Sequence, residues 1–582
     1  MSPSFPTSLS LRFSSILLIL IAIAVLLRVI NLGSREFWYD EVLSLLLATG
    51  QKVAYQTPKD APVLLADYTT LLQLPVEHGV HEVLETGKNL LKGIAGGEPH
   101  PPLFFLTQHL WLRLFGNSEA AMRSLGAGLS VGAIASAFGL GRILLGQQGG
   151  LLFSALLAVN PYYLFHSLNV RMYGPIVLWT ILSAWALLEL ISLERTVEQE
   201  RGTQNGQQEK SFRSKLSSVT KVTPLQSSAL LWNLLFITSV AAGLMTFYLF
   251  AYWLLALAAI VLVLDKSRWW QHGLRLGAGV MLTMPWVVWG TRQQLHNADL
   301  ERFSTSAGSI ETGWRHIQDV LQILGIHLIL GDWITGLPPI CATVAGGAAA
   351  LMLLVCAIAL WRQQTLTSNL LTVTLLMGIF PLLVGLTADA IAGKFTIAFG
   401  WGRATIFILP GCLLLLAAGI ERAAGQWKRP IAIALLMLLL SIGIADFTAR
   451  PRWMFHQVAD LIEQDSTAPT LILLDSQAWG HVMRLAYYIP PTSSVWLLAQ
   501  PSAKLAPALD KTFLSQPKPY QRILWLDSAE PLWSTPSTLS QRQQVREIIE
   551  RQFQLLKTLH LSGTMDLDRF SVKFYQRSAS DS

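Results

Sequence analysis

Eleven apolar runs constrain this chain more than any other feature: Leu11–Leu32, Ser124–Leu145, Leu151–Leu168, Pro175–Ile191, Ala229–Tyr248, Ala251–Leu264, Leu274–Trp289, Leu337–Leu360, Leu370–Ile391, Ala404–Ile420 and Ile431–Ala445. About 20 apolar residues cross the hydrocarbon of a bilayer as a helix. In lipid only helices and closed barrels keep every backbone polar group bonded. Some runs are shorter than this ideal, which implies tilted helices or ends that extend beyond the runs. The chain therefore reads as a multi-pass α-helical membrane protein with about 11 spans, and 52% hydrophobic against 14% charged residues fits that class. The first run is span-length with no small-residue cleavage site before Arg28, so it reads as a retained span and not a cleaved signal.

Positive charge sets the orientation. With the N-terminus inside, the inner loops carry Arg142; Arg195, Arg201, Lys210, Arg213, Lys215 and Lys221; Lys266 and Arg268; Arg362; and Arg422, Lys428 and Arg429. The net charge of +7 comes from these loops, without basic–aromatic tracts, so no nucleic-acid partner is expected. Cys341, Cys356 and Cys412 all lie in apolar runs without ligand spacing and read as small buried hydrophobes.

Residues 1–447 form the membrane domain on this reading. Its first external loop, 33–122, holds an amphipathic helix at Val76–Lys92, the break Glu98-Pro99-His100-Pro101-Pro102, and a short helix at Leu103–Phe115. That last helix contains His109 and Arg113, and counting it as a span would invert every later loop, so it reads as interfacial. The loop 194–225 is polar, cytoplasmic and without apolar period. The external loop 291–335 reads equally as a half-buried lid or an ordinary loop. From 448 to 582 the composition turns soluble. Leu471–Asp475, Ser494–Leu498, Arg522–Asp527 and Phe570–Tyr575 have strand length, and Met454–Gln464 and Ser540–Leu556 read as helices. This is an extracytoplasmic α/β domain without a Gly-rich phosphate loop, so no nucleotide is assigned to it.

The chemistry concentrates after the first run, in Arg35-Glu36-Phe37-Trp38-Tyr39-Asp40-Glu41-Val42-Leu43-Ser44. Aromatics anchor a chain at the interface, and ionisable groups at a membrane edge point to function. The bland alternative, a solvated stop after a span, more often uses Lys or Arg than two acids. No ATP is available outside, so a synthetic enzyme there needs an activated donor carried by lipid. Sugar transfer from a polyprenyl phosphate requires a base for the acceptor, and Asp40 is placed to be one. It also requires cations for the phosphate. Arg171, in Asn169-Val170-Arg171-Met172-Tyr173, and Arg403, in Gly400-Trp401-Gly402-Arg403, fall at external span ends and suit phosphate oxygens. Each reads alternatively as an Arg snorkelling to headgroups. Lys394 lies near Arg403 in sequence, and Arg123 is spaced to pair with Glu119. His100 sits between prolines that fix its backbone, as a phosphate contact or as a structural turn. With Glu98 alone beside it, it has no metal-ligand spacing.

Phe37-Trp38-Tyr39-Asp40-Glu41, then His100-Pro101-Pro102-Leu103, then Leu114-Phe115-Gly116-Asn117-Ser118-Glu119 with Arg123, then Arg171-Met172-Tyr173, resemble the GT-C superfamily of membrane glycosyltransferases. Within it they are similar to family 39, the dolichyl-phosphate-mannose–protein mannosyltransferase-like group, and to the bacterial aminoarabinose transferases. The resemblance implies a GT-C type membrane domain in the plasma (inner) membrane. It implies a polyprenyl-phosphate-sugar donor, inversion at the anomeric carbon, and a protein, lipid or cell-envelope glycan acceptor. It makes Asp40 the general base, with Glu41 supporting it or contacting donor or acceptor; Arg171, Arg403, His100 and Lys394, read above from their own positions, are the candidate donor-phosphate residues. Arg123, Glu119, Tyr39 and Tyr173 would support them. Two departures stand out. Protein mannosyltransferases follow the motif Arg with Leu-Asp, where Arg171 is followed by Met172 and Tyr173, so no second acid and no metal resting on it is expected. Many bacterial relatives carry Thr-His-Tyr after the fifth span, where this chain has Thr246-Phe247-Tyr248. No cofactor is assigned. A secondary transporter would show internal repeats and mid-membrane charges; a non-catalytic lipid-glycan binding protein would tolerate loss of Asp40.

Overall fold

The computed structural model describes residues 7–208, 224–297, 303–304, 310–332, 337–363, 368–397, 400, 402–515, 520–532, 534–565 and 567–578. The chain divides into two compact units. One holds Met1–Val29, Pro99–Phe104 and Gly126–Asp446; the other holds Ile30–Glu98, Phe105–Leu125 and Phe447–Ser582. The segment between the first two apolar runs thus folds with the C-terminal segment, where the sequence alone suggested a boundary only at 447/448.

The first unit is helical, and all eleven apolar runs fall on helices. Among the described residues eight helices are long and apolar enough to cross a membrane, and one bent pair makes nine if it counts as a span. The sequence suggests more because two pairs of runs merge. Ser124–Leu145 and the first part of Leu151–Leu168 lie on the helix Glu119–Val159, broken where Gly146 takes φ 82°. The rest of the second run turns at Asn160, whose side chain accepts the Tyr163 N–H at 2.8 Å and starts the short helix Pro161–Ser167. Ala251–Leu264 and Leu274–Trp289 lie on Phe250–Leu264 and Lys266–Met281, bent by 118°, and the second run ends in short turns.

The helix Leu409–Ala423 is buried from Leu409 to Ile420 and forms the centre of this unit. Glycines allow close approach there: a Cβ on Gly411 would overlap the Met377–Gly378 backbone, and one on Gly346 the Leu321 carbonyl. Arg28, fully buried near the end of the first span, donates to the carbonyls of Ala24 and Ala158 at 2.9 Å and to Ser130 Oγ at 3.0 Å. Backbone acceptors thus take up a cation that lipid would reject. The loop read from sequence as 194–225 is helical at its start, because the helix Tyr173–Gln208 runs on, while 209–223 lie outside the described residues. The loop 291–335 holds the amphipathic helix Ile310–Gly325 and a π-turn at Ile326–Leu330.

The second unit is built on a six-stranded sheet: β1 (Val63–Leu64), β2 (Thr470–Leu474), β3 (Val495–Ala499), β4 (Arg522–Ser528), β5 (Phe553–Ser562) and β6 (Arg569–Arg577), in the order β1-β3-β2-β4-β6-β5. The pairs β2–β3 and β2–β4 are parallel, and the other pairs are antiparallel. Every residue of β2 and β4 is buried, as expected of central strands covered on both faces. The edge strand β1 comes from the segment between the first two apolar runs. One sequence expectation fails here. The helix expected over Ser540–Leu556 ends at Glu550, and Phe553–Ser562 is β5, whose antiparallel pairing with β6 outweighs the helical spacing that precedes it. The amphipathic helix of the loop runs Val80–Gly97, later than Val76–Lys92, because Gly79 takes extended backbone at its start. Leu103–Phe115 is a helix of 13 residues, too short to span.

Candidate active site

In the second unit the acidic motif forms the start of the helix Tyr39–Ala48. Glu41 is fully buried and its carboxylate receives Arg123 in a two-pronged pair, Nε at 2.8 Å and Nη2 at 2.7 Å. The same carboxylate accepts the Trp38 N–H at 3.1 Å, the reach-back half of a capping box. Arg123 spends its remaining donors on the carbonyls of Leu32, Arg35 and Glu36, at 2.8–3.1 Å. All five guanidinium protons are therefore used, two on Glu41 in the first turn of the helix and three on the carbonyls of the segment that precedes it. Glu41 and Arg123 neutralise each other and fix that turn, and Asp40, the preceding residue, stays half-exposed. Arg123 takes Glu41 as its ion-pair partner in place of Glu119; Glu119 instead accepts the Tyr488 hydroxyl at 2.9 Å.

Three further contacts hold the motif within this unit. Tyr488 Oη accepts the Phe37 N–H at 2.6 Å. Glu36 Oε1 accepts the His456 backbone N–H at 2.6 Å and lies 2.9 Å from His456 Nδ1. The Tyr39 ring meets His481 edge-on at 5.3 Å and lies over Gly480, where a Cβ would sit 2.6 Å from ring atoms. Burial holds His481 neutral, with its pKa pushed down to about 4. Beside it Arg484 and Asp568 form a buried pair.

In the first unit a second group assembles around Tyr173. His100 meets the Tyr173 ring edge-on at 6.5 Å and stacks on Phe247 at 5.5 Å. The Arg403 guanidinium lies 5.7 Å from the Tyr173 ring centroid. The His100 carbonyl accepts Gln294 Nε2 at 2.8 Å. Phe247 thus becomes the stacking surface for His100. Arg171 is buried two residues before Tyr173. Lys394 lies in a loop organised by Asp389, whose carboxylate accepts the Thr396 and Ile397 N–H groups at 2.6 and 3.0 Å. Among the described contacts it has none with this group. Trp401 of the Arg403 motif lies outside the described residues.

The sequence reading missed four residues here. His166 Nε2 lies 3.5 Å from Asp332 Oδ1, both buried. Asn169 Nδ2 approaches His166 Nδ1 at 3.1 Å. Tyr162 packs against His166 at 4.3 Å and His327 at 4.5 Å, with its hydroxyl buried and without a hydrogen-bond partner among the described residues. Asp332 and Arg403 are its charged neighbours. The available signal was one His and one Asp interrupting apolar stretches, a costly pattern in lipid.

One group of metal-ligand type occurs among the described residues: Glu194, Asp265 and His272, with ligand atoms within 4.8 Å of one another. Arg275 pairs with Glu194 at 2.5 Å and also donates to His272 Nδ1 at 2.9 Å, and Arg268 reaches Asp265 at 3.6 Å. These cations satisfy the carboxylates, and the group ties the helices Tyr173–Gln208, Phe250–Leu264 and Trp269–Met281 together.

Residues 99–198 match the family profile of dolichyl-phosphate-mannose–protein mannosyltransferases. A search of curated proteins finds no match. Among solved structures, the Archaeoglobus fulgidus oligosaccharyltransferase with zinc and sulfate is similar at 10% identity, covering 97% of this chain and 73% of that one, with a TM-score of 0.47. ArnT from Cupriavidus metallidurans bound to undecaprenyl phosphate is 12% identical over 96% of this chain and 98% of that one, with a TM-score of 0.42. The archaeal AglB with an inhibitory peptide and a dolichol-phosphate is 11% identical over 99% and 75%, with a TM-score of 0.45. The profile match covers His100, Glu119, Arg123, Arg171 and Tyr173, so this segment is similar to the dolichyl-phosphate-mannose–protein mannosyltransferase family.

Proposed function

We propose that the protein is an inverting glycosyltransferase that moves a sugar from a polyprenyl-phosphate carrier to an acceptor on the outer face of the plasma membrane. The observation that carries this reading is the division of labour in the acidic pair. Glu41 is consumed by Arg123, and Asp40, its neighbour, remains half-exposed on a turn held from several sides. A rigidly held carboxylate next to a neutralised charge pair suits general-base work. The family profile supports the donor class.

Asp40 takes the proton of the acceptor hydroxyl or amine as that atom attacks the anomeric carbon from the face opposite the phosphate. The carbon–oxygen bond to phosphate breaks, the sugar inverts, and the polyprenyl phosphate leaves as a dianion. Arg403, with Arg171 and the half-buried His100, is suited to receive that charge. Lys394 serves as an outlying cation at most, given its separate loop. Glu41, Arg123, Glu119 and Tyr39 position Asp40.

Asp40→Asn, expressed at wild-type level, abolishes sugar transfer, a loss of about 10²-fold or more. Mass spectrometry of cell-envelope lipids and glycoproteins with and without the protein identifies the product. Unchanged incorporation by the variant ends the assignment. Cysteine labelling at position 40 from outside intact cells tests the sidedness.

A further inference from the structure

The first external loop builds a second feature of the same unit as Asp40. Lys52 Nζ lies 4.5 Å from the Trp479 ring centroid and 5.3 Å from that of Tyr55. The Tyr55 ring is 5.9 Å from Trp479 and 5.7 Å from Tyr68. The stem of Lys52 is seated on the helix Val80–Gly97, where a Cβ at Gly93 would stand 3.1 Å from Lys52 Cβ and one at Gly97 3.3 Å from its Cε. Lys52, Tyr55 and Trp479 are each half-buried. Trp479 directly precedes Gly480, the seat of the Tyr39 ring, and Tyr39 is an electrostatic neighbour of Tyr55.

Two groups here are incompletely satisfied. The Tyr55 hydroxyl is buried without a hydrogen-bond partner among the described residues. The Lys52 ammonium has no carboxylate within salt-bridge distance among the described residues, and burial is the only influence on its pKa, which it lowers. Cation–π contact is worth about 0.5–2 kcal/mol and supplies no counter-charge. A lysine that merely snorkelled would extend its amine into water; this one is packed over two rings. Half-exposed aromatic faces with a few convergent polar groups accept the C–H face of a pyranose, and the unpaired ammonium selects an anionic substituent on it.

We infer that Lys52, Tyr55 and Trp479 form the acceptor subsite, and that the acceptor is a saccharide bearing a carboxylate or a phosphate ester. The ammonium holds the anionic group, and the half-exposed Trp479 and Tyr55 rings carry the sugar face. The inference rests on the glycosyltransferase reading, with Asp40 as base.

The test measures binding of tri-galacturonate, maltotriose and short-chain phosphatidylglycerol to the full-length protein in nanodiscs. Wild type, Lys52→Gln, Lys52→Arg, Trp479→Leu and Asp40→Asn are compared, with melting temperatures as the folding control. Tri-galacturonate binds wild type, Lys52→Arg and Asp40→Asn alike, at least tenfold weaker to Lys52→Gln and Trp479→Leu, and more tightly than maltotriose. Equal binding to Lys52→Gln, no binding at all, or a preference for maltotriose overturns the subsite. So does Lys52-dependent binding of phosphatidylglycerol in place of the saccharide, which would make this a headgroup contact. Asp40→Asn separates the two levels: persistent sugar transfer by that variant defeats the catalytic reading, whereas lost transfer with Lys52-independent binding defeats only the subsite.

Discussion

Glu41→Gln distinguishes a structural acid from a catalytic one. The substitution keeps the side-chain shape and removes the charge, leaving Arg123 with three carbonyl acceptors and no counter-ion at 0% exposure. Breaking one side of a buried ion pair costs about 3–5 kcal/mol, because the surviving charge stays desolvated. The amide also cannot accept two guanidinium hydrogen bonds and the Trp38 N–H with equal strength. For a folding unit of this size each kcal/mol moves Tm by roughly 2–4 °C, so the variant melts about 6–20 °C lower. Thermal unfolding in detergent measures this, and transfer assayed well below the new Tm stays within about tenfold of wild type. Arg123→Gln alone has a similar cost, and the double variant loses much less than the sum of the two. A Glu41→Gln protein that melts like wild type but has lost transfer would refute the reasoning and return Glu41 to the chemistry.

Three further outcomes follow from the same geometry. Asp475, just after β2, has its pKa pushed up to about 7 by burial and by the neighbouring Asp527 charge. A folded pKa above the unfolded carboxylate value gives stability that is complete below about pH 4 and is lost as pH rises through 7, by up to roughly 4 kcal/mol. Asp475→Asn therefore flattens that pH dependence and raises Tm at pH 8; an unaltered Tm–pH profile contradicts this. Gly480→Ala drives a methyl to 2.6 Å from the Tyr39 ring, costs about 1–3 kcal/mol and lowers kcat more than the donor KM changes, as steady-state kinetics would show. Arg403→Gln raises donor KM at least tenfold while leaving Tm within a few degrees, and an unchanged KM removes Arg403 from the donor site.

What could be read in advance, and what could not, divides by the range of the forces involved. The apolar runs were legible because lipid demands helices, β2, β3 and β4 because buried strands are short and mostly apolar, and β6 because its residues alternate between apolar and polar. Arg123 shows the limit. Its spacing from Glu119 favoured an i,i+4 pair, yet Glu41, 82 residues away, took the guanidinium because full burial makes a desolvated two-pronged pair far stronger than an exposed helical one. His166 and Asp332 meet across the chain in the same way. Gly480 carried no signal, because its role is to lack a side chain where Tyr39 needs space. Tyr488 bonds the Phe37 backbone from 451 residues away. A boundary drawn from hydropathy separates residues 30–125 from 447–582, because hydropathy reports which solvent a segment meets and carries no information about its partner. The edge strand β1 and the Glu36–His456, Phe37–Tyr488 and Tyr39–Gly480 contacts make those segments one folded body. The carboxylate at the centre of the proposed chemistry is therefore held by the soluble portion of the chain, and truncation after the last span would remove the support of Asp40 together with the sheet.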